Sequence, residues 1–203
     1  MKKVLILFLV FAVNPFFGYA QSIENLDFIS PFYNGLAAIK KDGQWAFVNT
    51  KGDVIINYRT DLVLTKSNEN SYPIFNDDRC LIEQKKNGIS YFGYIDTSGK
   101  TIIEPKFLNA TNFNNGKAIV LELIKENVGK NEALGKNIVY YKYFEVIINT
   151  NGAIENYINP SGVNVVIDKE FLRMPPKITS KLISDNLVAI KGENGKWSLV
   201  KLN

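Results

Sequence analysis

Residues 92–99 read Phe-Gly-Tyr-Ile-Asp-Thr-Ser-Gly, a short apolar run followed at once by a four-residue turn. Residues 45–52 repeat this pattern as Trp-Ala-Phe-Val-Asn-Thr-Lys-Gly, and related turns stand at residues 149–152 and 159–162. Asp or Asn at the first turn position can accept a hydrogen bond from the backbone two residues on, and Gly at the fourth allows a positive φ. Because a strand-like apolar run such as Thr101-Ile102-Ile103 follows the turn, each copy predicts a β-hairpin.

A second pattern, an apolar residue and two mostly polar residues before a turn residue and a strand, precedes the first. It occurs at residues 32–39, 75–82, 113–120 and 183–190. The turn residue is Gly35, Asp78, Gly116 or Asn186. These residue types tolerate a positive φ best, so a left-handed turn is predicted at all four positions.

Aromatic residues recur at one strand position, with Trp45, Phe92 and Trp197 in three of the copies. In the third copy this position is most nearly filled by Phe144. Because side chains alternate along a strand, the aromatic residue and the large apolar residue two positions later share one face. We interpret this face as core.

The repeats predict an all-β fold, an array of about four imperfect β-hairpin repeats with solenoid or barrel-like stacking. Such units cannot bury an apolar face alone and must pack on their neighbours. Two insertions interrupt the array, near residues 121–143 and 169–182. The first is predicted to form a long hairpin tip or a short helix, and the second a connector, because Pro175-Pro176 cannot lie in a central strand.

The combined pattern resembles the WG-repeat (KWG) proteins of bacteria. The best copy spans residues 75–107, and the resemblance covers most of residues 28–203, although no copy has both the Trp and the Gly. The resemblance implies β-hairpin repeats that are often exported and have no agreed catalytic activity.

The first twenty residues have the layout of a secretory signal peptide. Lys2 and Lys3 precede ten residues without a polar side chain, and residues 18–20 (Gly-Tyr-Ala) place small residues ahead of a cut before Gln21. The apolar run is too short to cross a bilayer. We therefore expect a β-repeat domain over residues 21–203, exported to the periplasm or the cell exterior, with no membrane span in the mature chain.

The composition excludes several kinds of chemistry. The chain has no histidine and one cysteine, so no Ser-His or Cys-His pair, disulfide framework or multi-cysteine metal site is possible within it. Cys80 occupies a small-residue position of the repeat, which predicts a buried, inert thiol. The formal net charge of +4 includes both leader lysines, and Lys and Glu interleave elsewhere, so nucleic-acid binding is not expected. No cofactor or metal site is expected.

Three tyrosines are the candidate binding residues. Tyr140, Tyr141 and Tyr143 border the first insertion in a run that is not repeated elsewhere. On a strand, Tyr141 and Tyr143 share one face and Tyr140 lies on the other. If one face is core, the other exposes tyrosine that can stack on a sugar or a peptide.

These observations favour an exported, non-enzymatic binding or scaffolding module whose partner is a protein or glycan of the cell envelope. The alternative is an enzyme that acts on glycans with carboxylates brought together from distant units. A purely structural envelope component is also compatible with the sequence.

Overall fold

The structure is a computed structural model that describes residues 22–131 and 135–202, so the predicted signal peptide at residues 1–20 lies outside the described residues. The described residues form strands and no helix. In chain order the strands are β1 Phe28–Tyr33, β2 Leu36–Lys41, β3 Gln44–Asn49, β4 Val54–Arg59, β5 Thr65–Ser67, β6 Asn70–Tyr72, β7 Cys80–Lys86, β8 Ile89–Ile95, β9 Thr101–Phe107, β10 Lys117–Asn131, β11 Lys136–Asn149, β12 Ile154–Tyr157, β13 Val163–Val165, β14 Ser180–Ser184, β15 Leu187–Lys191 and β16 Trp197–Lys201.

Four antiparallel sheets follow one another along the chain. Their strand orders are β1-β2-β3-β4, β7-β8-β9, β10-β11-β12 with β13 also paired to β11, and β14-β15-β16, and we call them the first to fourth repeats. A small β5-β6 hairpin lies between the first two. The predicted all-β array of hairpin repeats is confirmed, and within the described residues the sheets are open and form no closed barrel.

An opening turn stands just before β2, β7 and β10 in the first three repeats, and it has two consecutive residues with positive φ. These pairs are Asn34-Gly35, Asp77-Asp78 and Asn115-Gly116. Two positive-φ residues define a type I′ turn, whose twist matches that of the flanking strands. The prediction of a left-handed residue is therefore confirmed at Gly35, Asp78 and Gly116. It is wrong at Asn186, because asparagine permits a positive φ without requiring it.

The second kind of turn is held by an Asn or Asp side chain, as predicted. The Oδ1 atom accepts a hydrogen bond from the backbone N–H two residues on, at 2.9 Å in Asn49, 2.9 Å in Asp96, 3.0 Å in Asn149 and 3.1 Å in Asn159. The glycine at the fourth position has a positive φ in each turn: Gly52, Gly99, Gly152 and Gly162.

Strand register shows which residues are equivalent between repeats. The residue at the aromatic position pairs, across the hairpin, with the residue five positions after the turn residue Gly35 or Asp78. Trp45 thus pairs with Lys40, and Phe92 pairs with Glu83. In the third repeat the fifth residue is Leu121, and its partner is Glu145. The assignment of Phe144 to this position is therefore wrong: register, not residue type, decides equivalence, and Phe144 lies on the opposite face of β11.

The repeats pack face against face, and each joint has its own apolar cluster. The first joint includes Trp45, Phe47, Phe75, Cys80 and Ile82; the second includes Phe92, Tyr94, Phe113, Ala118 and Val120; the third includes Ile119, Ile147, Ile158 and Val188. At the first two joints an aromatic residue from the loop before a repeat packs edge-on against the preceding sheet. Phe75 lies 4.8 Å from Phe47, and Phe113 lies 4.7 Å from Tyr94, between ring centroids.

The two ends of the stack differ. At the amino-terminal end, Ile23, Leu26 and Tyr58 pack on the outer face of the first repeat. At the other end, the side chain of Trp197 is 47% exposed and that of Leu199 is 66% exposed. The expectation of a core position is thus confirmed for Trp45 and Phe92 and wrong for Trp197, because within the described residues no sheet packs on this face of the fourth repeat.

The first insertion forms the outer part of the β10–β11 hairpin, which is paired from Lys117–Asn149 to Asn131–Lys136. The region near residues 169–182 is an irregular connector up to β14, and its Leu172 is buried in a cluster with Ile89 of the second repeat and Leu121 of the third. In the described part of the chain, no helix could span a membrane.

Candidate functional site

A groove of about 570 Å³ lies beside strand β11, where the chain that follows β13 diverges from it. Strand β13 pairs with β11 between Tyr143–Val163 and Tyr141–Val165. Beyond Val165 the backbone bends, and the N–H of Asp168 donates to the carbonyl of Val166 at 3.0 Å. The lining residues are Val139, Tyr140, Tyr141, Asn164, Val165, Val166 and Ile167.

The structure brings two of the three candidate tyrosines to this groove. Tyr140 is 56% exposed and Tyr141 is half-buried, and both contribute to the lining. Tyr143 lies elsewhere, packed against an apolar cluster that contains Leu121 and Leu172. Burial, with a smaller effect from the nearby Glu145 carboxylate, raises the pKa of the Tyr143 hydroxyl.

Strand β11 has an open edge at the groove. Ile138, Val139 and Tyr140 pair with β10 on one side. On the other side, the described pairing partners of β11 are β13 and β12, which reach no further than Tyr141. An extended peptide laid along this edge could add backbone hydrogen bonds to the sheet while the tyrosines and valines contact its side chains.

A second cavity, of about 290 Å³, lies between the third and fourth repeats. Its lining residues are Tyr143, Glu145, Ile158, Asn159, Pro160, Val163, Lys177, Thr179, Ser180 and Ile190. Glu145 is only 7% exposed and stands at the aromatic position of the repeat. Sequence reasoning missed this residue, although the signal was present: Glu145 precedes Asn149 by four residues, as Trp45 precedes Asn49.

The Glu145 carboxylate is only half satisfied by hydrogen bonds. Its Oε1 atom accepts from both the N–H and the hydroxyl of Thr179, each at 2.7 Å. Its Oε2 atom is buried and has no hydrogen-bond partner, and the same is true of the Ser180 hydroxyl on the cavity wall. Buried polar groups are normally paired, so these two unpaired atoms, on residues that line the cavity, need an explanation.

The other groups with potential chemistry are held in structural contacts. Asp77 accepts a hydrogen bond from the N–H of Gly116, and the hydrogen bond from Ser98 lowers the pKa of Asp96. Cys80 is buried, and its burial raises the pKa of the thiol to about 12. Within residues 22–131 and 135–202, no group of three or more Cys, Asp or Glu residues could hold a metal ion.

A family model described as a WG containing repeat matches residues 23–45 and 92–122. The first match ends at the aromatic position of the first repeat, and the second begins at the aromatic position of the second. These two stretches match the repeat family that the sequence resembles, so the resemblance is confirmed for them. Comparison with curated proteins and with solved structures finds no significant match.

Proposed function

We propose that this β-repeat protein is an exported, non-enzymatic binding module of the cell envelope whose groove beside β11 takes an extended peptide segment. The observation that carries the proposal is the groove itself. It combines two tyrosines, an apolar wall and an open strand edge in one place.

The lining of the groove favours a peptide over a glycan. Its side chains are mostly valine, isoleucine and tyrosine, and the polar groups are the Asn164 amide and the two phenols. A sugar has many hydroxyl groups, and each one buried without a hydrogen bond would cost free energy. A peptide strand with apolar side chains at alternate positions would satisfy its backbone on the β11 edge and bury those side chains against the valines.

Binding is tested with a display library of extended peptides of eight to ten residues, about the length of a β-strand, and in parallel with an array of cell-wall glycans. We expect selected peptides to alternate apolar and polar residues, and to bind the Tyr140→Ser/Tyr141→Ser variant at least tenfold more weakly. Tyr33→Ser is the matched control, because Tyr33 is a partly exposed tyrosine of the first repeat, far along the chain from the groove. Peptide binding that is unchanged in the double variant would exclude this groove as the binding site. Glycan binding that is lost in the double variant would show that the groove takes a sugar and not a peptide.

Export and the absence of turnover are tested separately. A reporter enzyme fused behind residues 1–30 should reach the periplasm or the medium and be cleaved before Gln21, and a reporter that stays in the cytoplasm would contradict export.

The purified protein should release no new reducing ends from envelope polysaccharides. New reducing ends that disappear on substitution of a single Asp or Glu would show an enzyme instead.

A further inference from the structure

We propose that the cavity at Glu145 binds the primary ammonium group of a small zwitterion of the amino-acid type. The cavity shares no lining residue with the groove beside β11, so the proposal does not rest on the peptide-binding function.

The position of Glu145 explains why a cavity exists at this joint. In the first two repeats the same register position holds Trp45 or Phe92, and these rings belong to the apolar clusters that fill the first two joints. In the third repeat a shorter, polar side chain replaces the ring. The cavity therefore lies at the register position that a ring fills in the first two repeats, and Glu145 contributes to its lining.

The unpaired oxygen indicates the charge of the missing group. Glu145 Oε2 is buried without a hydrogen-bond donor, and in the described residues no lysine or arginine forms an ion pair with this carboxylate. A buried carboxylate without a partner is strongly unfavourable, whereas a cation with hydrogen-bond donors offsets that cost. An ammonium group has three donors, which can serve both Glu145 Oε2 and the unpaired Ser180 hydroxyl.

The rim of the cavity indicates a zwitterion rather than a simple amine. Lys177 is exposed and contributes to the lining, so a bare cation in the cavity would meet a second positive charge there. A ligand with a carboxylate beside its ammonium group would instead place that carboxylate near Lys177 and Asn159, which both line the cavity. The volume of about 290 Å³ is at the small end for ligand pockets and suits a free amino acid.

The test is a calorimetric titration of the purified protein with glycine, alanine, glucosamine and acetate. We expect saturable binding of the two amino acids and no binding of acetate, which has no ammonium group. Glu145→Gln should weaken amino-acid binding at least tenfold, and Ser180→Ala should weaken it less. The isosteric glutamine keeps an acceptor for Thr179 at the Oε1 position, so the variant should fold, and its unfolding midpoint checks this.

Glu104→Gln is the control, because Glu104 is an exposed glutamate on β9 of the second repeat. Amino-acid binding that is unchanged in Glu145→Gln, or an absence of saturable binding in a folded wild-type protein, would overturn the proposal. A high-resolution structure with only a water between Glu145 and Ser180 at saturating alanine would also overturn it. Glucosamine binding as tight as that of alanine would overturn the role given to Lys177 and the zwitterion assignment.

Discussion

Glu145 lies opposite Leu121 in the third repeat at the position where Trp45 lies opposite Lys40 in the first. One register position thus has two different uses in a single chain. At the first joint it supplies a ring that is almost fully buried, and at the third it supplies a buried carboxylate beside a cavity. A repeat framework permits this exchange, because each joint is stabilised mainly by its own neighbouring contacts.

The second joint should depend strongly on Phe113, whose ring packs against Tyr94 and is almost completely buried. Phe113→Ala should lower the free energy of unfolding by about 3–5 kcal/mol, the usual cost of deleting a buried ring. Urea denaturation measures the change. Phe171→Ala is the control, because Phe171 is 74% exposed and its loss should cost at most about 0.5 kcal/mol. Equal effects of the two substitutions would contradict the packing described at this joint.

Gly93 is required because the backbone of β9 passes close to it, and not because its own φ is positive. A Cβ atom at this position would lie 2.3 Å from the carbonyl oxygen of Ile103 and 2.7 Å from the nitrogen of Pro105. Gly93→Ala should therefore destabilise the protein by about 2–3 kcal/mol, since rigid backbone must move to admit the methyl group.

Ala46 is the equivalent residue of the first repeat, and Ala46→Gly should cost only about 0.5–1 kcal/mol. Thermal unfolding of the two variants compares the positions directly. A Gly93→Ala protein as stable as the wild type would show that β9 does not pass so close to β8.

Cys80 should give the protein a pH dependence in the alkaline range. Burial raises the pKa of its thiol to about 12, so the folded protein keeps this proton at pH values where the unfolded chain loses it. Stability should consequently fall as the pH rises from about 9 towards 12, with a slope of up to about 1.4 kcal/mol per pH unit from this group.

Cys80→Ala removes the ionisable group and should make this part of the profile less steep, and alanine already occupies the equivalent positions Ala37 and Ala118. The native thiol should also react with a disulfide reagent only when the protein unfolds. Rapid labelling of the folded protein at pH 8 would contradict the buried position.

Asp61 should contribute to stability above acidic pH. The hydrogen bonds from Arg59, at 2.6 and 2.7 Å, hold the pKa of this carboxyl below its ordinary value. Because the folded pKa is lowered, the contribution is present above the ordinary Asp value and is lost as the pH falls through the lowered one. Asp61→Asn should therefore be less stable than the wild type at pH 7 and should approach it on acidification. A constant difference between pH 7 and pH 2 would contradict the pairing.

Local chemistry made most of the fold predictable. Asn49 and Asp96 each organise a turn with their own side chain, and Gly35 and Gly116 supply positive φ, so the hairpins could be located without knowledge of the tertiary structure. Burial was harder to predict, because it depends on what packs against a face. Trp197 stands in the same local sequence pattern as the core residue Trp45, yet it is half exposed.

The candidate site was predictable only in part. The unrepeated tyrosine run indicated a feature near the first insertion, and Tyr140 and Tyr141 do line a groove there. The third member, Tyr143, packs in an apolar cluster, because Leu172 and Ile178 of the connector before β14 belong to the same cluster. The spacing to Asn149 places Glu145 at the aromatic position, but the cavity beside it could not be predicted, since it depends on the connector that brings Thr179 and Ser180 to the joint.

The chain has two tryptophans, and they belong to the first and the last repeat. Trp45 is shielded in the first joint, whereas Trp197 is open to water with the ammonium groups of Lys181 and Lys191 at 4.9 and 5.7 Å from its ring centre. Iodide should therefore quench the red-shifted emission of Trp197 selectively, and caesium should quench it poorly. The molecule thus has a built-in optical reporter at each end, and time-resolved emission can follow which terminus loosens first.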